Sequence, residues 1–168
     1  KNTSDILFNG NNISNNLEFD NYLKRLGYKF KNENYDFGGY IILNNKKICL
    51  SVDAGISPVQ KFSNHYQSGA LSFEIISNQK KLITNCGYFS DINRKYNKLS
   101  RSSALHNTLI IEDFSSCDFE KIDSNYILTN GIKVIKNNTI FEDNYWKISA
   151  FHEGYLKKFG IIHEREIE

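Results

Sequence analysis

The chain has 168 residues, 40% of them apolar and 14% aromatic, enough for one domain to bury a core without staples. Its 21 basic and 19 acidic residues leave a formal charge of +2, too balanced to hold a polyanion such as DNA by charge alone. No apolar run reads as a membrane-spanning or signal segment, and the opening Lys1 with no methionine anywhere implies a piece of something longer.

Residues 1–36 are asparagine-rich and read as a lead-in or linker carrying one predicted helix over 17–26. There Phe19, Tyr22, Leu23 and Leu26 share a face, Asn15 or Asn16 caps the start, and Glu18 and Asp20 sit where the helix dipole favours negative charge. Residues 37–168 read as a single β domain. Strands at 40–43 and 47–52 flank Asn44-Asn45-Lys46 as a hairpin. Alternation over 71–75 predicts a strand with Leu71, Phe73 and Ile75 facing a core and Ser72 and Glu74 facing out. Further β-rich runs lie at 81–84 and 108–111, and residues 91–103 read as a polar helical turn or long loop. Asn130-Gly131 predicts a tight hairpin between strands at 126–129 and 132–135, and two more strands are expected at 145–151 and 160–167. Short strands at close intervals with few helices imply a mainly β, antiparallel β-sandwich.

Catalytic signatures are sparse. Cys49, Cys86 and Cys117 are widely spaced with no CxxC pair, so they read as small buried hydrophobes rather than a disulfide framework or zinc ribbon. None of the four histidines falls in HExxH, and GxSxG, Walker and GxGxxG patterns are missing. His65, in the loop 64–69, and His106, in 101–108, each lead into a predicted strand, which would let them meet at one end of the sandwich or simply bond backbone. The run from Arg94 to Arg101 holds four cations and no acid. Such a run is commonly a solvated face; functionally, Arg94, Lys95 and Arg101 suit carboxylates or sulfates, with Tyr96 as a stacking platform.

The order of several short motifs carries more than any one of them. Gly39-Tyr40, Val52-Asp53-Ala54-Gly55, the run from His65 to Glu74, Asn85-Cys86-Gly87, the run from Arg101 to Thr108, His152-Glu153-Gly154-Tyr155 and the run from Phe159 to Arg165 together resemble the heparinase II/III-like polysaccharide lyases from about residue 38 onward. The resemblance implies a supersandwich-like β module that works beside an upstream α/α toroid, here the expected partner domain. It implies cleavage of uronate-containing acidic polysaccharides by β-elimination, with the isolated module inactive, and it makes His65 the candidate catalytic residue. The alternative is a non-catalytic carbohydrate-binding or structural sandwich. The family's zinc positions fall on Gln67, Asn85 and His106, a set of two amides and one imidazole, so no zinc or other cofactor is expected. The family motif's aspartate falls on Gly69. His152 and His163 sit on family-like positions and are assigned no catalysis. The resemblance points to bacteria and leaves the compartment open, and it implies final strands beyond Glu168 that would leave an edge uncovered.

Overall fold

A computed structural model describes residues 8, 17–29, 33–88, 94–123 and 125–168, with the side chains of residues 17, 94 and 95 also outside the description. Five strands, β1 (Tyr35–Phe37), β2 (Tyr40–Asn44), β3 (Ile48–Asp53), β4 (Phe73–Ser77) and β5 (Lys80–Ile83), form one antiparallel sheet in chain order. A second sheet has the order β10-β9-β8, from β8 (Ile135–Glu142), β9 (Tyr145–His152) and β10 (His163–Ile167). A ribbon of β6 (Asp118–Ile122) and β7 (Asn125–Asn130) completes the sandwich, and the helices α1 (Leu17–Arg25), α2 (Arg94–Ser100) and α3 (Leu156–Phe159) are short.

The β2–β3 hairpin is as predicted. Leu43 pairs with Leu50 across it, and the Asn45 carboxamide oxygen accepts from the amides of Lys47 and Ile48 to close the turn. Alternate residues of β2 put Ile41 and Leu43 into a core shared with Leu50 and Val52 of β3, Leu128 of β7, and Ile148 and Ala150 of β9. Burying these aliphatic side chains holds the two sheets face to face, each contributing about 1.5–3 kcal/mol.

Five expectations change. The strand begins at Phe73, and Ser72 and Glu74 are buried rather than solvent-facing. The segment after β5 covers that face, and the Glu74 carboxylate accepts from the Asn85 amide at 2.8 Å and from the Thr84 hydroxyl. The run 108–111 is irregular apart from one bridge between Ile111 and Phe114. Asn130-Gly131 makes no hairpin: β7 pairs with β6, a strand hidden in the charged run Asp118–Ile122, and Gly131 is needed for close approach, since a Cβ there would lie 2.7 Å from the Ser57 Cβ. Helix α1 forms, but Phe19, Tyr22 and Leu26 are exposed, and its predicted caps, Asn15 and Asn16, lie outside the described residues. In place of a strand from residue 160, Gly160 caps α3 at φ +69° and β10 starts at His163.

Candidate functional site

Two loops, 63–72 and 100–108, pack against each other beside the first sheet. The Ser68 amide donates to the Arg101 carbonyl at 2.9 Å, and the Ser103 hydroxyl donates to the Ser68 carbonyl at 2.7 Å. Loop 63–72 returns into the sheet through Leu71, whose φ of +58° is held by amide bonds on both sides, Leu71 to Asp53 and Ser72 to Gly69.

His65 stands on the outer side of this seam. It is exposed, and its ring meets the edge of Tyr88 at 5.4 Å between centroids. Tyr88 itself is buried, and its hydroxyl accepts from the Asn97 carboxamide of α2 at 3.2 Å. The imidazole therefore has an aromatic neighbour and sits on an exposed residue. Tyr88 is a neighbour that sequence reasoning missed, for it lies past Cys86-Gly87 with no pattern to mark it.

The inner side of the seam is closed. Gln67, Asn85 and His106 are all buried. The Gln67 amide nitrogen donates to the carbonyls of Gly87 and Ser100, and the Asn85 amide oxygen accepts from the Asn107 N–H at 2.9 Å. His106 packs on Gly69, where a Cβ would come within 3.2 Å of the Ser72 hydroxyl and 3.4 Å of the His106 ring, so glycine at this position leaves the imidazole its space. Burial pushes the His106 imidazole down to about 4, so it is neutral near pH 7. The three positions thus share one seam, but His65 and His106 do not meet: one is at the surface and the other inside. As a zinc set the seam fits poorly. It offers one imidazole and two neutral amides, both already engaged with backbone, and no thiolate or carboxylate among the three.

Arg101 overturns the expectation of a solvated basic loop at its own position. It is 2% exposed and donates through Nε to the Tyr66 carbonyl at 2.8 Å and through its terminal nitrogens to the carbonyls of Ser63 and Tyr126. Its guanidinium lies 4.2 Å from the centre of the Phe119 ring. Burial lowers its pKa, yet three carbonyl dipoles and an aromatic face hold the cation with no acidic partner among the described residues. It ties loop 63–66 to β7, with its donors turned inward to those carbonyls. Tyr96 is exposed on α2, while the side chains of Arg94 and Lys95 lie outside the described residues. Of the cysteines only Cys117 is buried; Cys49 is half-buried and Cys86 is exposed.

A second arginine, Arg165, plays a matching part from β10. It donates to the carbonyls of Leu71 and Asn107 and lies 5.2 Å from the Phe73 ring, tying the last strand to both loops of the seam. Beside it His152 and His163 form a buried pair, Nε2 to Nδ1 at 3.0 Å. The Gly154 amide donates to His152 Nδ1, so the network assigns the His152 proton to Nε2, which donates to His163. Burial, together with the Arg165 charge, lowers both imidazoles to about 4.

Comparison with known proteins gives a consistent result. Residues 31–168 match the family described as Heparinase II/III-like, C-terminal. No curated protein matches the chain. Among solved structures, a heparinase III described as the BT4657 gene product superposes with a TM-score of 0.69 at 17% identity, over 96% of this chain and 27% of that one. The heparan sulfate lyase HepC from Pedobacter heparinus gives 0.67 at 14% identity, over 96% of this chain and 27% of that one. Another heparinase III gives 0.51 at 17% identity, over 88% of this chain and 28% of that one. The chain therefore spans about a quarter of the length of these structures, and the likeness is one of fold.

Proposed function

The chain belongs to the heparinase II/III-like family, and from that premise we propose that it is the β-sandwich part of a lyase that cleaves uronate-containing polysaccharides by β-elimination. The observation that carries this reading is His65: it takes the first histidine position of the family's motif and is the imidazole on the seam that stays open to solvent. In β-elimination the substrate carboxylate is neutralised, a base removes the proton on the adjacent carbon, and an acid protonates the departing oxygen. An exposed imidazole whose ring is oriented by Tyr88 can donate to that carboxylate or move one of those protons. The buried groups of this chain orient the loop and touch no substrate. Arg94, Lys95 and Tyr96 of α2 are the proposed contacts to the acidic chain, and the remaining acid/base groups would come from an α/α toroid partner, without which the module has no activity. The amide-for-ligand seam supplies no metal step.

The test is a β-elimination assay on heparan sulfate with the full-length protein that carries this chain, following the unsaturated uronate product. A His65→Ala substitution is expected to lower the rate about 100-fold or more, the usual scale of a positioned proton carrier. An unchanged rate removes His65 from the mechanism. A second reading, a non-catalytic carbohydrate-binding sandwich, is favoured by Gln67, Asn85 and Gly69 standing where the family motif has ionisable groups. It predicts polysaccharide binding with no unsaturated product at all.

A further inference from the structure

Tyr88 stands where three segments meet. Its backbone is pinned from both loops of the seam: the Gln67 amide nitrogen donates to the Gly87 carbonyl at 3.3 Å, and the Cys86 amide donates to the Leu105 carbonyl at 3.2 Å. Gly87, at φ +78°, makes the turn that leads into Tyr88. The side chain is 6% exposed and has a neighbour at each end. At its ring, His65 lies 5.4 Å away between centroids with the two planes at 88°, the edge-to-face arrangement that aromatic pairs favour. At its hydroxyl, the Asn97 carboxamide of α2 donates at 3.2 Å. Gln67 reinforces the same span, because its nitrogen also donates at 3.0 Å to the carbonyl of Ser100, the last residue of α2.

The loop that carries His65 and the helix that carries Tyr96 are thus joined twice, through Gln67 and through Tyr88. The two joints differ in kind. Gln67 bonds backbone at both ends and holds the segments together, whereas Tyr88 meets a side chain at each end, so its shape bears on where the imidazole lies. An exposed side chain with nothing to rest on samples several rotamers, and a buried ring fixed through its hydroxyl favours the one that packs against it. We propose that Tyr88 is a positioning residue: its ring sets His65 for proton transfer, and its hydroxyl, through Asn97, sets α2 against that imidazole. Buried as it is, Tyr88 acts through these neighbours rather than on a substrate. The inference rests on the lyase reading above and adds to it the residue that couples the proton carrier to the helix proposed to hold the acidic chain.

Steady-state β-elimination on heparan sulfate by the full-length protein that carries this chain tests it, with single and double variants. Tyr88→Leu removes the ring and is expected to lower kcat about tenfold, less than the loss on removing the imidazole itself. In His65→Ala protein the same change should cost less than about twofold more, since the group it positions is gone. Tyr88→Phe keeps the ring and removes the acceptor; it is expected to raise KM about fivefold, as is Asn97→Ala, with the two together no worse than either alone. A residue that serves folding alone would lower the unfolding midpoint and leave kcat and KM unmoved, or lower kcat equally with and without His65. Either result overturns the proposal and leaves the lyase reading in place. Should Tyr88→Leu fail to fold, Tyr88→Phe and Asn97→Ala, the latter at a half-buried position, carry the test, and an unchanged KM in both overturns the proposal. A full rate from His65→Ala, or no unsaturated product from the unaltered protein, overturns the lyase reading and this inference together.

Discussion

The outer and inner sides of the 63–72 and 100–108 seam are built from neighbouring residues and have opposite characters. Outside, His65 is exposed and meets the Tyr88 ring edge-to-face. Inside, Gln67, Asn85, Arg101, Ser103 and His106 are buried, and all but His106 donate to or accept from backbone groups of distant segments. A polar side chain that satisfies the backbone of two loops fixes their shape but is unavailable to a ligand. The inner residues therefore act as scaffold, which leaves the proposed chemistry to the exposed side.

The strongest way to break this division is at Arg101. Arg101→Ala strips donors from the carbonyls of Ser63, Tyr66 and Tyr126 at once, and each buried carbonyl left unsatisfied costs about 1–3 kcal/mol. Urea denaturation is expected to show a loss above about 3 kcal/mol, or no folded protein. Arg101→Lys should rescue little, because a single ammonium cannot fork to three acceptors. A loss under about 1 kcal/mol would return Arg101 to the candidates for substrate contact.

Acid sharpens the same contrast. His106 is held near 4, below the usual 6.5 of an unfolded histidine, so the unfolded chain binds the extra proton first. Its contribution is intact above about pH 6.5, shrinks as the pH falls through that range, and is gone below about 4. Between pH 7 and pH 5 this one group should cost about 2 kcal/mol. The His152–His163 pair, beside Arg165, shifts in the same direction and steepens the loss. Denaturation midpoints across pH 7 to 4.5 read it; a flat profile would show that these imidazoles gain protons without unfolding.

The seam can also be tested for what it no longer offers. Purified protein is expected to carry no stoichiometric zinc by elemental analysis, whereas a Gln67→His, Asn85→Asp double variant supplies two ionisable ligands beside His106. Uptake of about one zinc, with a melting temperature that falls on chelation, would show that the three positions converge. Zinc in the unmodified protein would overturn the account of Gln67 and Asn85.

How far such a division can be read from residues alone depends on which force sets each element. The β2–β3 hairpin is legible because one local turn, Asn44-Asn45-Lys46, and one apolar alternation agree. β6 is not: Asp118-Phe119-Glu120-Lys121-Ile122 is charged, and its partner β7 and the Arg101–Phe119 contact decide it, both distant in sequence. Asn130-Gly131 misleads for the same reason, since a close contact with Ser57 rather than turn geometry requires the glycine. At the site, motif order located His65, Gln67, Asn85 and His106, but not which would be exposed. Burial of Arg101 and Glu74 follows from segments that fold over them, which neither charge nor alternation announces.

The smallest expected effect is the most discriminating. If His65 belongs to the outer surface alone, His65→Ala should change stability by no more than about 0.5 kcal/mol, since it removes an exposed ring and one edge contact with Tyr88. Under the proposed lyase reading, the same substitution is expected to cost the full-length protein about 100-fold in rate. A residue that matters greatly to turnover and little to folding is placed for chemistry. Loss of stability equal to that of Tyr88→Ala would instead make the His65–Tyr88 pair a structural clasp, and the division between the two sides of the seam would fail at its most exposed residue.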